Sequence, residues 1–355
     1  MLKNETEEII KVLIVDDSAF VRKVLTNIFS KSPFIEVVGT ARDGWEALEK
    51  VEELNPDVIT LDLIMPNMDG ITFLRELMKK KPTPVVIVSI ASESGELAIE
   101  ALNLGAVDII QKPTALASEK IYEISEDLIQ KVKNASKISL EKIQKITGNQ
   151  IPVIELKEEI IKTKVDIVVI GISTGGPQAL RYVLPKFPRS FPVPIAVVIH
   201  MPVGYTEIFA QKLNEVCQLE VKEAKDGDLL EKGKIYIAQA GKHMMFEKKE
   251  NKIYIKLDLK PFDTLHKPSV DVLFQSAGEI FGNRVLGIIM TGMGKDGLKG
   301  AEYIKLKGGF IFTEAEETCI IYGMPRSVEE AGLSDKVIPL YKMAEEIIDF
   351  VGGEK

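Results

Sequence analysis

The sequence predicts two α/β domains in series, and three observations lead there. Short apolar runs alternate with helical patterns five times within the first 113 residues. From about 134 to 164 Lys and Glu dominate with nearly balanced signs, and Trp, Phe and Tyr are absent. At Val165 a second, longer alternation begins. A chain of 355 residues fits this division, since domains average roughly 150 residues.

The predicted strands of the first domain are KVLIV (11–15), IEVVG (35–39), DVITL (57–61), VVIV (85–88) and VDII (107–110). Between the first two, Phe20, Val21, Val24, Leu25 and Ile28 recur at helical spacing, and later Ala47, Leu48, Val51 and Leu54 do the same. Strands alternating with helices imply right-handed crossovers and a parallel sheet covered on both faces. Five such units suit the doubly wound flavodoxin-like arrangement. KIYEISEDLIQKVK (120–133) puts Ile121, Ile124, Leu128 and Val132 on one face and closes the domain, which is expected to span 8–133. Residues 134–164 read as a linker.

The second domain, 165–352, is expected to be larger and doubly wound, with a mainly parallel sheet. Its predicted strands are VDIVVIG (165–171), PIAVVI (194–199), KIYIA (234–238), VLGIIM (285–290) and GFIF (309–312). A hairpin is expected at Glu250–Asn251, joining MMFEKK to KIYIKL.

Composition narrows the function. With 45 Lys+Arg against 53 Asp+Glu, the net charge of −8 gives no general hold on nucleic acid or an anionic membrane. Two cysteines make neither a disulfide framework nor a cysteine zinc site, and the three histidines lack H-x-x-x-H spacing. The start, MLKNETEEIIKVLIVDD, has an apolar run too short for a signal peptide, and no apolar stretch approaches the ~18 residues of a membrane span. A cytoplasmic monomer without membrane insertion is expected.

Ligand groups in open α/β sheets gather at the carboxyl ends of the strands. There the first domain carries Asp16 and Asp17 after strand one, Asp62 after strand three, Ser89 after strand four and Lys112 after strand five. Three converging carboxylates repel unless a cation sits among them, and oxygen ligands favour Mg²⁺. A carboxylate beside such a metal can act as a nucleophile and form an acyl phosphate. Asp16 could instead merely cap the helix beginning near Ser18. Five polar groups at four strand ends favour the joint site.

VLIVDDS (12–18), DVITLDLIMPNMDG (57–70), the Ser after VVIV and Lys112-Pro113 resemble the receiver domain of bacterial response regulators. The resemblance implies that Asp62 accepts a phosphoryl group from a CheA-type histidine kinase. It also implies that Asp16, Asp17, Asp62 and the carbonyl of Ile64 hold Mg²⁺, while Ser89 and Lys112 sense the phosphoryl group. Ile109 stands where receivers usually carry an aromatic residue. Ile64 stands where a polar residue often orients attacking water, so a long-lived phospho-Asp62 is expected.

In the second domain Val165–Ile170 runs into Gly171-Ile172-Ser173-Thr174-Gly175-Gly176-Pro177 and then a helical pattern. G-I-S-T-G fits the G-x-S-x-G nucleophile elbow, and a helix N-terminus behind it favours developing negative charge. A phosphate-binding turn is the competing reading, though the segment fits neither G-x-G-x-x-G nor the P-loop pattern. His200 follows PIAVVI, and Asp296 lies in the glycine-rich loop after VLGIIM. Ser, His and Asp at three strand ends meet the requirement for a triad, in a chain order unlike the three familiar ones. Glycines around Met293 would free backbone N–H groups for an oxyanion hole. His243 and His266 are candidate ligand contacts.

IGISTGGPQAL, IHMPVGYTEIFAQKL, KEAKDGDLLEKGKIYIAQAGKHM, HKPSVDVLFQS and IMTGMGKDGLKG closely resemble the catalytic domain of chemotaxis protein-glutamate methylesterases. The resemblance implies catalysis by Ser173, His200 and Asp296, with the Met293 N–H at the oxyanion and no cofactor for the esterase chemistry. Substrates would be glutamyl methyl esters on methyl-accepting chemoreceptors, with deamidation of receptor glutamines by the same groups. It further implies an unphosphorylated receiver that blocks the catalytic site until Asp62 is phosphorylated. Ile199 and Lys295 replace the commoner Gln and Asn before the His and the Asp. An adaptor that has lost catalysis is the runner-up reading. A DNA-binding output would need a basic helix-turn-helix that the sequence does not show.

Overall fold

The computed structural model describes residues 9–112, 121–138, 163–261 and 263–352. Pro113, Lys120 and most of the expected linker, 139–162, lie outside the described residues. The chain divides into two compact units, Met1–Gln144 and Lys145–Lys355.

The first unit holds strands β1 (Ile10–Val15), β2 (Ile35–Ala41), β3 (Val58–Leu61), β4 (Val85–Ser89) and β5 (Asp108–Gln111). They form one parallel sheet in the order β2-β1-β3-β4-β5. The helices are α1 (Ala19–Phe29), α2 (Gly44–Leu54), α3 (Gly70–Lys80), α4 (Ala91–Asn103) and α5 (Ile121–Ala135). Three are started by side-chain caps that the sequence displays: Ser18, Asp43 and Asp69 each accept a first-turn N–H. Strands β1 and β3 are buried almost throughout, as a sheet covered on both faces requires. Their register pairs Val15 with Leu61, which sets Asp16 and Asp62 side by side at the carboxyl edge. Gly70 lets α3 start against that edge, since a Cβ there would lie 2.4 Å from the Asp62 carbonyl oxygen.

The second unit is built on a seven-stranded sheet in the order β14-β13-β12-β6-β7-β9-β8. Its strands are β6 (Ile167–Ile172), β7 (Ile195–Ile199), β8 (Glu220–Glu223), β9 (Lys234–Ile237), β12 (Val285–Ile289), β13 (Phe310–Glu314) and β14 (Lys336–Ile338). Every neighbouring pair is parallel. The hairpin at Glu250 forms a separate two-stranded sheet from β10 (His243–Lys249) and β11 (Lys252–Asp258). Helices α6 (Gly176–Val183), α7 (Thr206–Asn214), α8 (Val270–Phe281), α9 (Leu298–Leu306), α10 (Met324–Glu330) and α11 (Leu340–Gly352) connect the strands or pack on them. Strands β8 and β14 were not expected. Both are short edge strands, and EVKE and KVI offer too few apolar residues to announce a strand.

The order of connection reverses between β6 and its neighbours β7 and β12, which makes their carboxyl ends the topological switch point. Among the described residues no helix is long and apolar enough to cross a membrane.

Candidate functional sites

At the edge of the first sheet, oxygens of Asp16, Asp17 and Asp62 lie within 4.8 Å of one another. Asp16 and Asp62 are buried and Asp17 is exposed. Lys112 reaches between the buried pair, its Nζ 2.9 Å from Asp16 Oδ2 and 2.8 Å from Asp62 Oδ2. Burial pushes both buried carboxyls above their ordinary pKa, and the bonds to Lys112 offset this only in part. Burial also opposes the charge on Lys112, but its two carboxylate partners outweigh that and hold its pKa up. One lysine thus serves both buried carboxylates, and Asp17 adds a third beside them. Hard oxygen donors packed with so little positive charge fit Mg²⁺.

Sequence reading missed two residues of this site. Arg22 staples the acidic loop by donating Nη1 to the carbonyls of Asp16 at 2.7 Å and Asp17 at 3.0 Å. Ser94 holds Ser89, the two Oγ atoms 2.6 Å apart in a fully buried pair. Ser94 sits at a non-helical kink inside α4 (φ −138°), which no local signal reveals. Ile64 is 46% exposed beside Asp62, whereas Ile109 is buried within β5.

In the second unit, Ser173 leaves β6 on a tight turn. Its N–H donates to the Thr291 carbonyl, and its own carbonyl accepts from Gly176 N–H at 2.7 Å. Gly175 sits in the left-handed region at φ +77°, and Pro177 occupies the first turn of α6. The register pairs Ile172 with Ile199, so Ser173 and His200 leave adjacent strands together. Gly292, after β12, packs so close that a Cβ there would lie 2.8 Å from Ser173 Cβ. Half-buried Met293 follows in the same loop.

His200 Nε2 lies 2.8 Å from Asp296 Oδ2. Asp296 is further served by Ser269 Oγ and the N–H groups of Val270 and Asp271, at 2.8, 2.8 and 3.1 Å. Burial alone would raise its pKa, but the hydrogen bond from His200 and these N–H donors outweigh it and hold the carboxyl well below the usual range. An ionised Asp296 fixes the tautomer: Nε2 carries the proton and donates, leaving Nδ1 as the bare nitrogen. Nδ1 is buried and has no hydrogen-bond partner among the described residues. Ser173 Oγ takes no hydrogen bond there either. Catalytic contacts of this kind are often long at rest and tighten with substrate.

The other two histidines separate. His266 is exposed and stacks on His200, ring centroids 4.0 Å apart and planes inclined by 23°. His243 is fully buried, contrary to its reading as a ligand contact. Its Nε2 meets the Pro261 carbonyl at 3.0 Å and its Nδ1 accepts from Ser269 N–H at 3.2 Å. Burial lowers its pKa, so it stays neutral inside the loop scaffold.

Fold and sites together define a class: a receiver-type unit followed by a hydrolase-type unit with an elbow serine at its switch point. Comparison with known proteins agrees. The family model of the response regulator receiver domain matches residues 12–123, and that of the CheB methylesterase matches 168–347. A protein-glutamate methylesterase/protein-glutamine glutaminase of Myxococcus xanthus is 47% identical over 94% of this chain and 96% of its own. One from Thermotoga maritima is 42% identical over 98% of this chain and 100% of its own. The crystal structure of the Thermotoga maritima CheB methylesterase catalytic domain superposes with a TM-score of 0.52 at 43% identity. That match covers 53% of this chain and 99% of the other. The chain belongs to the protein-glutamate methylesterase/protein-glutamine glutaminase family, with a receiver domain ahead of the CheB methylesterase domain.

Proposed function

We propose that the chain hydrolyses glutamyl methyl esters on chemoreceptors through Ser173, His200 and Asp296, under control of phosphorylation at Asp62. The observation that carries this reading is the His200–Asp296 pair, 2.8 Å apart, with Nδ1 left bare on the strand end next to that of Ser173. His200 Nδ1 takes the Ser173 proton, and Oγ attacks the ester carbonyl. The Met293 N–H stabilises the oxyanion. His200 returns the proton to the departing methoxide, methanol leaves, and His200 then activates water to hydrolyse the glutamyl-enzyme. A receptor glutamine follows the same path with ammonia as the leaving group. Asp296 holds the ring and balances the transient imidazolium.

In the receiver unit, Asp62 takes the phosphoryl group from a histidine kinase of the CheA type. Asp16, Asp17 and Asp62 would hold Mg²⁺, which neutralises the transferring phosphoryl oxygens when bound. Lys112 pairs with a phosphoryl oxygen as a point charge and Ser89 offers its hydroxyl. The protein works in the cytoplasm, where receptor signalling domains and kinase meet. A serine-directed fluorophosphonate tests the nucleophile. A single adduct on Ser173, with protection by methyl-esterified receptor, is the expected result; labelling elsewhere or none would refute the assignment.

A further inference from the structure

The segment HKPSVD (266–271) has a motif's density of polar groups, yet the Asp271 side chain has so far been given no part near the reaction. Ser269 precedes α8 in the manner of an N-cap, but its side chain makes no capping bond to its own helix. Gly297, at the same position before α9, has no side chain to make one. Both helices are capped nonetheless, each by a carboxylate from the other. Asp296, ahead of α9, accepts the N–H groups of Val270 and Asp271 in the first turn of α8. Asp271, in that same turn, returns the contact: its Oδ1 accepts Gly297 N–H at 2.9 Å and Gly300 N–H at 2.8 Å, at the start of α9.

This exchange fixes the carboxylate that meets His200. Two N–H donors and the Ser269 hydroxyl occupy Asp296 Oδ1 and one side of Oδ2, so the direction left open on Oδ2 is the one His200 fills. The Gly297 turn has one backbone bond of its own, from Leu298 N–H to the Lys295 carbonyl at 3.1 Å. Gly297 lies at φ +99°, and a Cβ there would meet Ile289 Cδ1 at 2.5 Å, so only glycine fits the turn. Asp271 adds the side-chain anchor, one residue beyond Asp296. Ser269 is seated in turn by neutral, buried His243.

We propose that Asp271 and Ser269 are positioning residues of the hydrolase site: through the reciprocal helix cap they set the orientation of Asp296 and thereby of His200. The inference rests on the reading of Asp296 as the orienting carboxylate. A residue acting this way governs turnover and leaves substrate binding alone.

The test uses the full chain, activated by acetyl phosphate and Mg²⁺, with methanol release from methyl-esterified receptor and the downfield proton resonance of the His200 ring N–H as readouts. Asp271→Ala should lower kcat about 100-fold, the scale of a misplacement near 1 Å, with KM within about twofold and the resonance shifted or lost. Asp271→Asn keeps an oxygen for both N–H groups and should return kcat to within about tenfold of the parent. Ser269→Ala removes one bond to a charged group and should cost about tenfold in kcat at unchanged KM. Should Asp271→Ala fail to fold, the other two variants decide. Full kcat in Ser269→Ala overturns the proposal, as does an Asp271→Asn as slow as an Asp296→Ala control. If Asp296→Ala itself keeps full activity, the catalytic reading falls instead.

Discussion

The molecule uses buried aspartates in two opposite ways. Asp62 and Asp16 share one lysine, and burial leaves their carboxyls above the ordinary pKa. Asp296 is partly buried but has four donors, one of them a histidine, and its carboxyl is held well below that range. The difference follows from the work proposed for each. A carboxylate that must take a phosphoryl group beside a cation needs free lone pairs, so the protein leaves it short of donors. A carboxylate that must only orient and balance a ring needs none free, and saturation locks it.

The comparison can be broken most decisively by exchanging amides for acids. Asp296→Asn should lower methanol release by roughly 10⁴-fold, because the amide cannot hold the tautomer with Nδ1 bare. The same variant should accept phosphoryl from acetyl phosphate at the parental rate. Asp62→Asn should do the reverse, losing the phosphoryl adduct in mass spectra while keeping basal hydrolysis. A variant that lost both activities while folded would show that the two sites do not divide the labour.

Chelation sharpens the same contrast. Removing Mg²⁺ should abolish phosphoryl transfer to Asp62, since hard oxygen donors alone cannot offset the incoming charge. Basal methanol release should be unaffected, as measured in EDTA without a phosphodonor.

Acid titration gives a third comparison. The carboxyl of Asp296 is depressed in the folded state, so its contribution to stability is complete above the ordinary carboxylate pKa of 3.8. That contribution is lost only as pH falls from there towards the lower folded value. In denaturant unfolding the parent should therefore exceed Asp296→Ala by about 3 kcal/mol at pH 7, for donors left unpaired, and by less below about pH 4. A gap that began to close between pH 7 and pH 5 would mean that Asp296 is not held ionised.

The smallest effect concerns Ile64. An apolar, half-exposed side chain beside Asp62 cannot orient water, so Ile64→Asn should speed autodephosphorylation by about tenfold, a fraction of what a positioned base supplies. A rate unchanged or lowered would remove Ile64 from the account.

How much of this was legible beforehand follows from sequence distance. Asp16, Asp62, Ser173, His200 and Asp296 each directly follow, or lie in the loop after, a strongly apolar run, so strand ends and one topological rule were enough to gather them. Ser269 and Asp271 were not found because their meaning lies in contacts 26 to 29 residues away. Ser269 in particular imitates an ordinary helix cap, and only the direction of its hydroxyl shows otherwise. The ring nitrogen of His200 that faces Asp296 depends on a rotamer, which no pattern records. Strands β8 and β14 were missed for a different reason. Edge strands bury one face at most, so EVKE and KVI carry no apolar run to detect.

The central claim is that Ser173 performs the hydrolysis and Asp62 governs it. Methanol release from methyl-esterified chemoreceptor tests both at once, with the parent and Ser173→Ala each assayed with and without acetyl phosphate and Mg²⁺. Release that rises on phosphorylation in the parent and is absent from Ser173→Ala under both conditions is the expected result. A phosphorylated parent that released no methanol, or a Ser173→Ala that still did, would contradict the account.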